Sequence, residues 1–296
     1  MSSLLFVYNP HSGMQTISRK LAEIVSIWTA VGFDVTVHPT QGSGDCRQTV
    51  ARLATGFDRV VVAGGDGTHN EAVNGLLDID YRSPYGYIPC GSTNDFSHSV
   101  GIPIQIPAAA RNCLYGTPFA YDIGMMNNRA FTYVAGFGAF TEVTYSTSQQ
   151  QKNTLGYAAY IISALSSLQN IVPYHVKYAS KEKSGEGEYV LGLVTNTLQV
   201  GGMKNILPQD IALNDGVFEV ILVKNPRNPL ELNKILMSAM KHDFYADCFE
   251  YFKTSQIVFE SESPLSWTLD GENGGSHYKT EISCLKQALK ILIKLP

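Results

Sequence analysis

Val60-Val61-Val62-Ala63-Gly64-Gly65-Asp66-Gly67-Thr68 is a β-branched run that breaks into three glycines around one carboxylate and leads into Asn70-Glu71-Ala72-Val73-Asn74-Gly75. Val and Ala bounded by glycine read as a buried strand, and Ala72, Val73, Leu76 and Leu77 fit one face of a short helix. Glycines at a strand-to-helix turn let the backbone come close to a ligand, and the free N–H groups of a helix start favour an anion. A plain βα turn would carry the same glycines, so the phosphate-handling reading depends on the rest of the chain.

Similar units lie on both sides. Leu4 to Tyr8 reads as a strand, Asn9-Pro10-His11-Ser12-Gly13 as a turn, and Ile17, Leu21, Ile24, Val25 and Trp28 as the apolar face of a helix. Val35 to Val37 supplies a second strand ending at Pro39-Thr40, and a helix is predicted from about Asp45 to Thr55. Gly86 to Ile88 leads into another turn, Pro89-Cys90-Gly91-Ser92-Thr93-Asn94-Asp95-Phe96. Strands alternating with helices at this spacing predict a parallel α/β sheet with its ligand at the carboxyl ends of the strands. Beyond about Asp122 the texture changes to strand-like runs separated by polar loops, at 131–134, 174–178, 189–195, 217–223 and 256–259. Helices are predicted over roughly 155–169 and 230–241. The charged stretch Ser180 to Glu188 reads as a solvated hairpin tip. The expected organisation is an α/β domain over 1–122, a β-rich, antiparallel sandwich-like domain over 123–283, and a return of 284–296 to the first.

Composition narrows the function classes. At 296 residues the chain exceeds the size at which single cores stop growing. A net charge of −4 and the lack of a basic stripe argue against a nucleic-acid partner. The five cysteines have no C-x-x-C spacing, so neither a zinc site nor a redox pair is indicated, and buried thiols in a reducing compartment are expected. The seven histidines show no H-x-x-x-H spacing for a metal. With no cleavable leader and no apolar stretch long enough to span a bilayer, a soluble cytoplasmic protein is expected.

Asn9-Pro10 with Ser12-Gly13, Gly64 to Thr68 with Asn70-Glu71 and Asn74-Gly75, Gly91 to Phe96, Leu213-Asn214-Asp215-Gly216-Val217-Phe218-Glu219-Val220 and Leu269-Asp270-Gly271-Glu272 follow one another in an order that resembles the diacylglycerol kinase catalytic-domain family. Soluble bacterial lipid kinases related to diacylglycerol, sphingosine and ceramide kinases share that pattern. The resemblance implies ATP on the first domain, a lipid presented by the second, transfer in the cleft, and transient contact with a membrane surface. It implies nucleotide contacts from Asn9, Pro10, His11, Ser12, Gly13, Thr40, Gly64, Gly65, Asp66, Gly67, Thr68, Asn70 and Thr93. His69, inside the same motif, could approach a phosphate, although an exposed helix-start residue is the plainer reading. No G-x-x-x-x-G-K-[ST] element exists, so backbone N–H groups rather than a P-loop lysine would hold the phosphates.

Catalytic roles are implied by the same resemblance. Asp66, Asp95 and Asp122 would form a water-mediated network around Mg2+, at strand ends or turns facing the cleft. Competing readings are a turn-stabilising carboxylate for Asp66 and a helix N-cap for Asp95. Asp270 would accept the proton of the attacking lipid hydroxyl, with Glu272 orienting or sharing it. An ordinary D-G hairpin with a solvated carboxylate competes with that reading. A second, structural Mg2+ would use Asp215 and the carbonyls of Ala212 and Val217, in a loop where Asn214 replaces the aspartate common in the family. Ser97-His98 departs from the small and basic residues usual there, which bears on substrate identity. A homodimer is compatible with the family. NAD kinase, which shares the G-G-D-G turn and the Asn-Glu pair, and a catalytically silent lipid-binding protein of the same fold are the alternatives.

Overall fold

The computed structural model describes residues 2–138, 173–200, 203–204 and 211–294. The predicted helix over 155–169 lies outside them. The chain divides into two compact units, one of Met1–Ile123 with Leu213–Asp215 and Leu285–Pro296, the other of Gly124–Ala212 and Gly216–Cys284. Each is taken in turn.

The first unit is built on a parallel four-stranded sheet in the order β2-β1-β3-β4, with β1 Ser2–Tyr8, β2 Phe33–Pro39, β3 Arg59–Gly64 and β4 Gly86–Pro89. β1 and β3 are near-continuous buried runs, as central parallel strands covered on both faces must be. β2, at the edge, alternates instead, so Phe33, Val35 and Val37 pack on the core while Asp34 and Thr36 face out. Helix α1, Thr16–Thr29, buries Ile17, Ile24 and Trp28, and the Trp28 indole N–H donates to the Ala110 carbonyl at 2.9 Å on α5, Ile106–Tyr115. Helix α2 covers Asp45–Leu53, α3 Asp66–Asp78 and α4 Asp95–Val100. α3 starts inside the glycine motif, at Asp66, earlier than the apolar pattern alone suggests. Tyr85 is tied to the returning carboxyl-terminal segment by its N–H to the Lys290 carbonyl at 3.0 Å and by the Leu292 N–H to its own carbonyl at 2.9 Å.

The second unit is β-rich and antiparallel. Its nine-stranded sheet has the order β13-β12-β9-β7-β14-β15-β5-β6, with β8 pairing β14 and β9. The strands are β5 Thr117–Met126, β6 Arg129–Phe131, β7 Val134–Gly138, β8 Tyr174–Ser180, β9 Ser184–Thr195, β12 Phe218–Lys224, β13 Phe249–Thr254, β14 Gln256–Leu269 and β15 Glu272–Ile293. A separate ribbon pairs β10 Gln199–Val200 with β11 Met203–Lys204. Helix α6, Pro229–Met240, is N-capped by Asn228, whose side chain accepts from the Glu231 N–H. The core gathers Phe137, Phe259 and Trp267 with ring centroids 5.0–5.9 Å apart.

The sequence made the 180–188 stretch a loop. The hairpin tip is in fact only Lys181 to Lys183, because Glu186 and Glu188 sit in β9 opposite Lys177 and His175 of β8. Alternating small glycines and glutamates masked a strand whose outward face is held by ion pairs. Among the described residues no helix is long and apolar enough to cross a membrane, which says nothing of a β-barrel. All five thiols are free, with Cys46, Cys90 and Cys113 buried.

Candidate active site

Four turns leave the same edge of the parallel sheet. After β1, the Asn9 carboxamide oxygen accepts the His11 N–H at 2.9 Å, closing an Asx turn, and its Nδ2 donates to Thr68 Oγ1 at 3.2 Å. The main chain of Asn9 is pinned to β3 by its N–H to the Ala63 carbonyl. Gly13 follows with φ +54°, and a Cβ there would lie 1.9 Å from the Cys90 carbonyl oxygen, so no other residue fits this turn. After β2, the Thr40 N–H donates to the Tyr8 carbonyl and Thr40 is buried. The loop beyond it is held by Asp45, which accepts from Gln41 N–H at 2.7 Å and lies 3.1 Å from the His38 ring. The Gln41 bond leads the effects that keep the Asp45 carboxyl below the ordinary range. Glu71, one residue beyond the expected nucleotide contacts, reaches across from α3 to accept the N–H groups of Gly44 and Cys46 at the start of α2.

The turns after β3 and β4 are packed against each other. A Cβ on Gly91 would come within 2.7 Å of the Gly65 Cα, and the Cys90 N–H donates to the Gly64 carbonyl at 2.7 Å. Asp66, the first residue of α3, accepts Thr93 Oγ1 at 3.1 Å and the Asp95 N–H at 3.4 Å. These bonds fit the turn-stabilising reading of Asp66 and place its carboxylate beside Thr93 and Asp95. Asp95 is buried, but it is not the helix cap. Asn94, with φ +51°, holds that position, its side chain pairing with both the N–H and the carbonyl of Gly91. An Asn tolerates the left-handed conformation better than most residues, so the cap falls one position before the aspartate.

Two expectations are corrected. His69 is fully buried, its ring 4.3 Å from Phe96 and 4.5 Å from Tyr87 between centroids, and its Nε2 lies 2.7 Å from the Tyr85 hydroxyl. Burial pushes its pKa down to about 3, so it is a neutral core residue, neither exposed nor turned to a phosphate. Asp122 is not at a strand end. It lies buried within β5, its N–H donates to the Leu213 carbonyl, and its Oδ1 accepts the Gln287 N–H at 2.7 Å.

Asp270 lies in the second unit, in the turn from β14 to β15. Asp270 and Gly271 have φ +51° and +85°, the conformation expected of a D-G hairpin. The carboxylate is not solvated, however, being only 4% exposed. Its Oδ2 accepts Thr132 N–H at 2.7 Å and Thr132 Oγ1 at 2.8 Å, and its Oδ1 accepts the N–H groups of Tyr133 and Val134 at 3.0 and 3.1 Å. Thr132, absent from the sequence expectations, is thus part of the site. Nothing local marks it, since it is separated from Asp270 by 138 positions. Glu272 begins β15 exposed, and nothing in the structure links it to the Asp270 carboxylate.

In the 212–217 loop, Asp215 and Ala212 are exposed, Gly216 has φ +90°, and the Asn214 carbonyl accepts from the Gln287 side chain. Among the described residues no group of three His, Cys, Asp or Glu side chains gathers to hold a metal. Any ion here would rest on one carboxylate, main-chain carbonyls and water. The Asp66, Thr93 and Asp95 set is all oxygen and suits a hard cation that keeps several waters.

Residues 3–126 match the diacylglycerol kinase catalytic domain, and 132–293 match the YegS C-terminal NAD kinase beta sandwich-like domain. The chain belongs to the diacylglycerol kinase family. It is 34% identical over 278 residues to a diacylglycerol kinase of Bacillus subtilis, covering 93% of this chain and 91% of the relative. A Staphylococcus carnosus diacylglycerol kinase is 33% identical over 273 residues, covering 91% and 88%. The crystal structure of a diacylglycerol kinase from Bacillus anthracis superposes with a TM-score of 0.81 at 25% identity, over 99% of this chain and 97% of that one. Family membership and the α/β-then-β architecture agree with the resemblance read from the motifs.

Proposed function

We propose that this family member transfers the γ-phosphate of ATP to the hydroxyl of a membrane lipid such as diacylglycerol, with Mg2+. The observation that carries the reading is the meeting of Gly13 with Cys90 and of Gly65 with Gly91 at one sheet edge, which brings the glycine turns together at the start of α3. The first N–H groups of a helix lack intrahelical partners and can meet phosphate oxygens without a lysine. The expected nucleotide contacts, Asn9 to Gly13, Thr40, Gly64 to Thr68, Asn70 and Thr93, flank that edge, with His69 removed from the set.

Asp66 and Asp95 are the carboxylates for the metal, with Asp122 supporting through β5 and Asp215 as the ligand of a second ion. Bound Mg2+ would neutralise charge that spreads over the phosphate oxygens during transfer. Asp270 is the proton acceptor. Its bonds to Thr132, Tyr133 and Val134 are made by the ionised form, and of these donors the Thr132 hydroxyl is the one that can rotate away as a proton arrives. Membrane contact is peripheral and transient in this reading.

The kinase names of the relatives favour it over NAD kinase and over a silent lipid binder. The test is a screen of the purified chain with labelled ATP and Mg2+ against diacylglycerol, monoacylglycerol, sphingosine, ceramide, phosphatidylglycerol and NAD. Labelled phosphatidic acid is the expected product. Label on NAD alone, or on nothing, would overturn the proposal.

A further inference from the structure

Asp66 and Asp95, which the proposed function assigns to Mg2+, and Asp122, which supports them, come from three separate segments, yet a neighbour of each enters one buried cluster. His69 lies one helical turn after Asp66, Phe96 directly follows Asp95, and Tyr121 directly precedes Asp122. Phe96 packs on both others, with centroids 4.3 Å from His69 and 5.0 Å from Tyr121. Tyr85 closes the set by hydrogen bonds, its hydroxyl 2.7 Å from His69 Nε2 and 2.6 Å from the Tyr121 hydroxyl. One hydroxyl can accept from one neighbour and donate to the other, so these two bonds can run in either direction, while His69 Nδ1 is buried without a hydrogen-bond partner among the described residues.

The same cluster reaches the glycine turn. The His69 main-chain N–H donates to the Gly65 carbonyl at 3.0 Å, and the Tyr87 hydroxyl, from the ring tilted beside His69, donates to the Gly64 carbonyl at 3.0 Å. Tyr85 is itself fixed on the main chain by Lys290 and Leu292. His69, Tyr85, Tyr87 and Tyr121 are all at most 1% exposed, and Phe96 is 3% exposed.

We infer that the His69–Tyr85–Tyr121 chain, with Phe96 packed between its ends, is a positioning platform that fixes the spacing of Asp66, Asp95 and Asp122 for a divalent cation. None of its members touches substrate or metal. The platform acts through the main chain, because interiors packed at this density pass a displaced ring on to the backbone that carries it. Removing the central hydroxyl takes one buried hydrogen bond from His69 Nε2 and one from the Tyr121 hydroxyl and frees the ends of the chain to drift.

The inference rests on the proposed kinase reading, and its test separates the two. Mg2+-dependent ADP binding is measured by calorimetry on the full chain for wild type, Tyr85→Phe and Trp28→Phe. Trp28→Phe removes a buried hydrogen bond of the same unit outside the platform, and thermal unfolding of the variants shows how far each is destabilised. Tyr85→Phe is expected to weaken binding of Mg2+ with ADP by about fivefold or more and to change metal-free ADP binding by less than about twofold, while Trp28→Phe changes neither. Unaltered Mg2+ dependence in Tyr85→Phe, or an equal loss in Trp28→Phe, overturns the inference. Should Tyr85→Phe fail to fold, Tyr121→Phe takes its place, with about a threefold loss as the threshold. A wild type that binds Mg2+ with ADP but phosphorylates no lipid refutes the lipid reading alone; one that binds no Mg2+ with ADP refutes both.

Discussion

Substituting Asp270 by Asn separates its two roles in one variant. Three main-chain N–H groups and one hydroxyl donate to the carboxylate, two to each oxygen, among the bonds described above. An amide has one acceptor oxygen, and its NH2 group must face one of the two pairs of donors. Turned toward Tyr133 and Val134, it would strand two rigid N–H groups. Turned toward Thr132, it strands only the Thr132 N–H, because the threonine hydroxyl can rotate to accept. The second orientation should prevail, leaving one buried N–H unsatisfied at a cost of about 1–3 kcal/mol. Removing a general base lowers turnover by roughly 100- to 10,000-fold. Guanidinium unfolding and a lipid phosphorylation assay on the same preparation read both numbers, and nucleotide binding should stay close to wild type. Wild-type turnover would refute the base assignment. Undiminished stability would refute the hydrogen-bond argument.

Gly13→Ala should abolish nucleotide binding and destabilise the first unit by more than about 2 kcal/mol, since both a positive φ and the Cys90 carbonyl oppose a Cβ; calorimetry with ADP checks it. Because the His69 pKa is lowered to about 3 in the folded chain against 6.5 when free, the folded form stays neutral while the unfolded form gains a proton as pH falls. Its contribution to stability is therefore complete above about pH 6.5 and is lost between there and pH 3, at up to about 1.4 kcal/mol per pH unit. Denaturation of wild type and His69→Gln at pH 5 should differ by about one proton taken up on unfolding, and equal pH slopes would refute the neutral-core assignment.

Much of the first unit was legible because its strands are continuous apolar runs bounded by turn residues, as at Val60 to Gly64. The D-G turn at Asp270 was equally legible from its dipeptide. What escaped was the burial of its carboxylate, since that is decided by Thr132, Tyr133 and Val134, which no local pattern links to it. His69 was within reach. It falls on the helical face of Ala72, Val73 and Leu76, at spacings of three, four and seven, and all of these are buried. The motif's glycines drew the reading outward to a ligand, whereas the periodicity pointed inward. The competing N-cap reading of Asp95 failed for a different reason: Asn94 takes the cap through a left-handed backbone that composition alone does not reveal.

The return of residues 285–294 to the first unit has a consequence for synthesis. Tyr85 finds its main-chain partners only at Lys290 and Leu292, roughly two hundred positions downstream. Domains translated first usually fold first. Here the amino-terminal unit gains these two bonds only once the segment at 290–292 has left the ribosome, so a chain stalled earlier is expected to carry that unit incompletely held. Ribosomal pausing before codon 290 should leave that half sensitive to protease, and release should protect it.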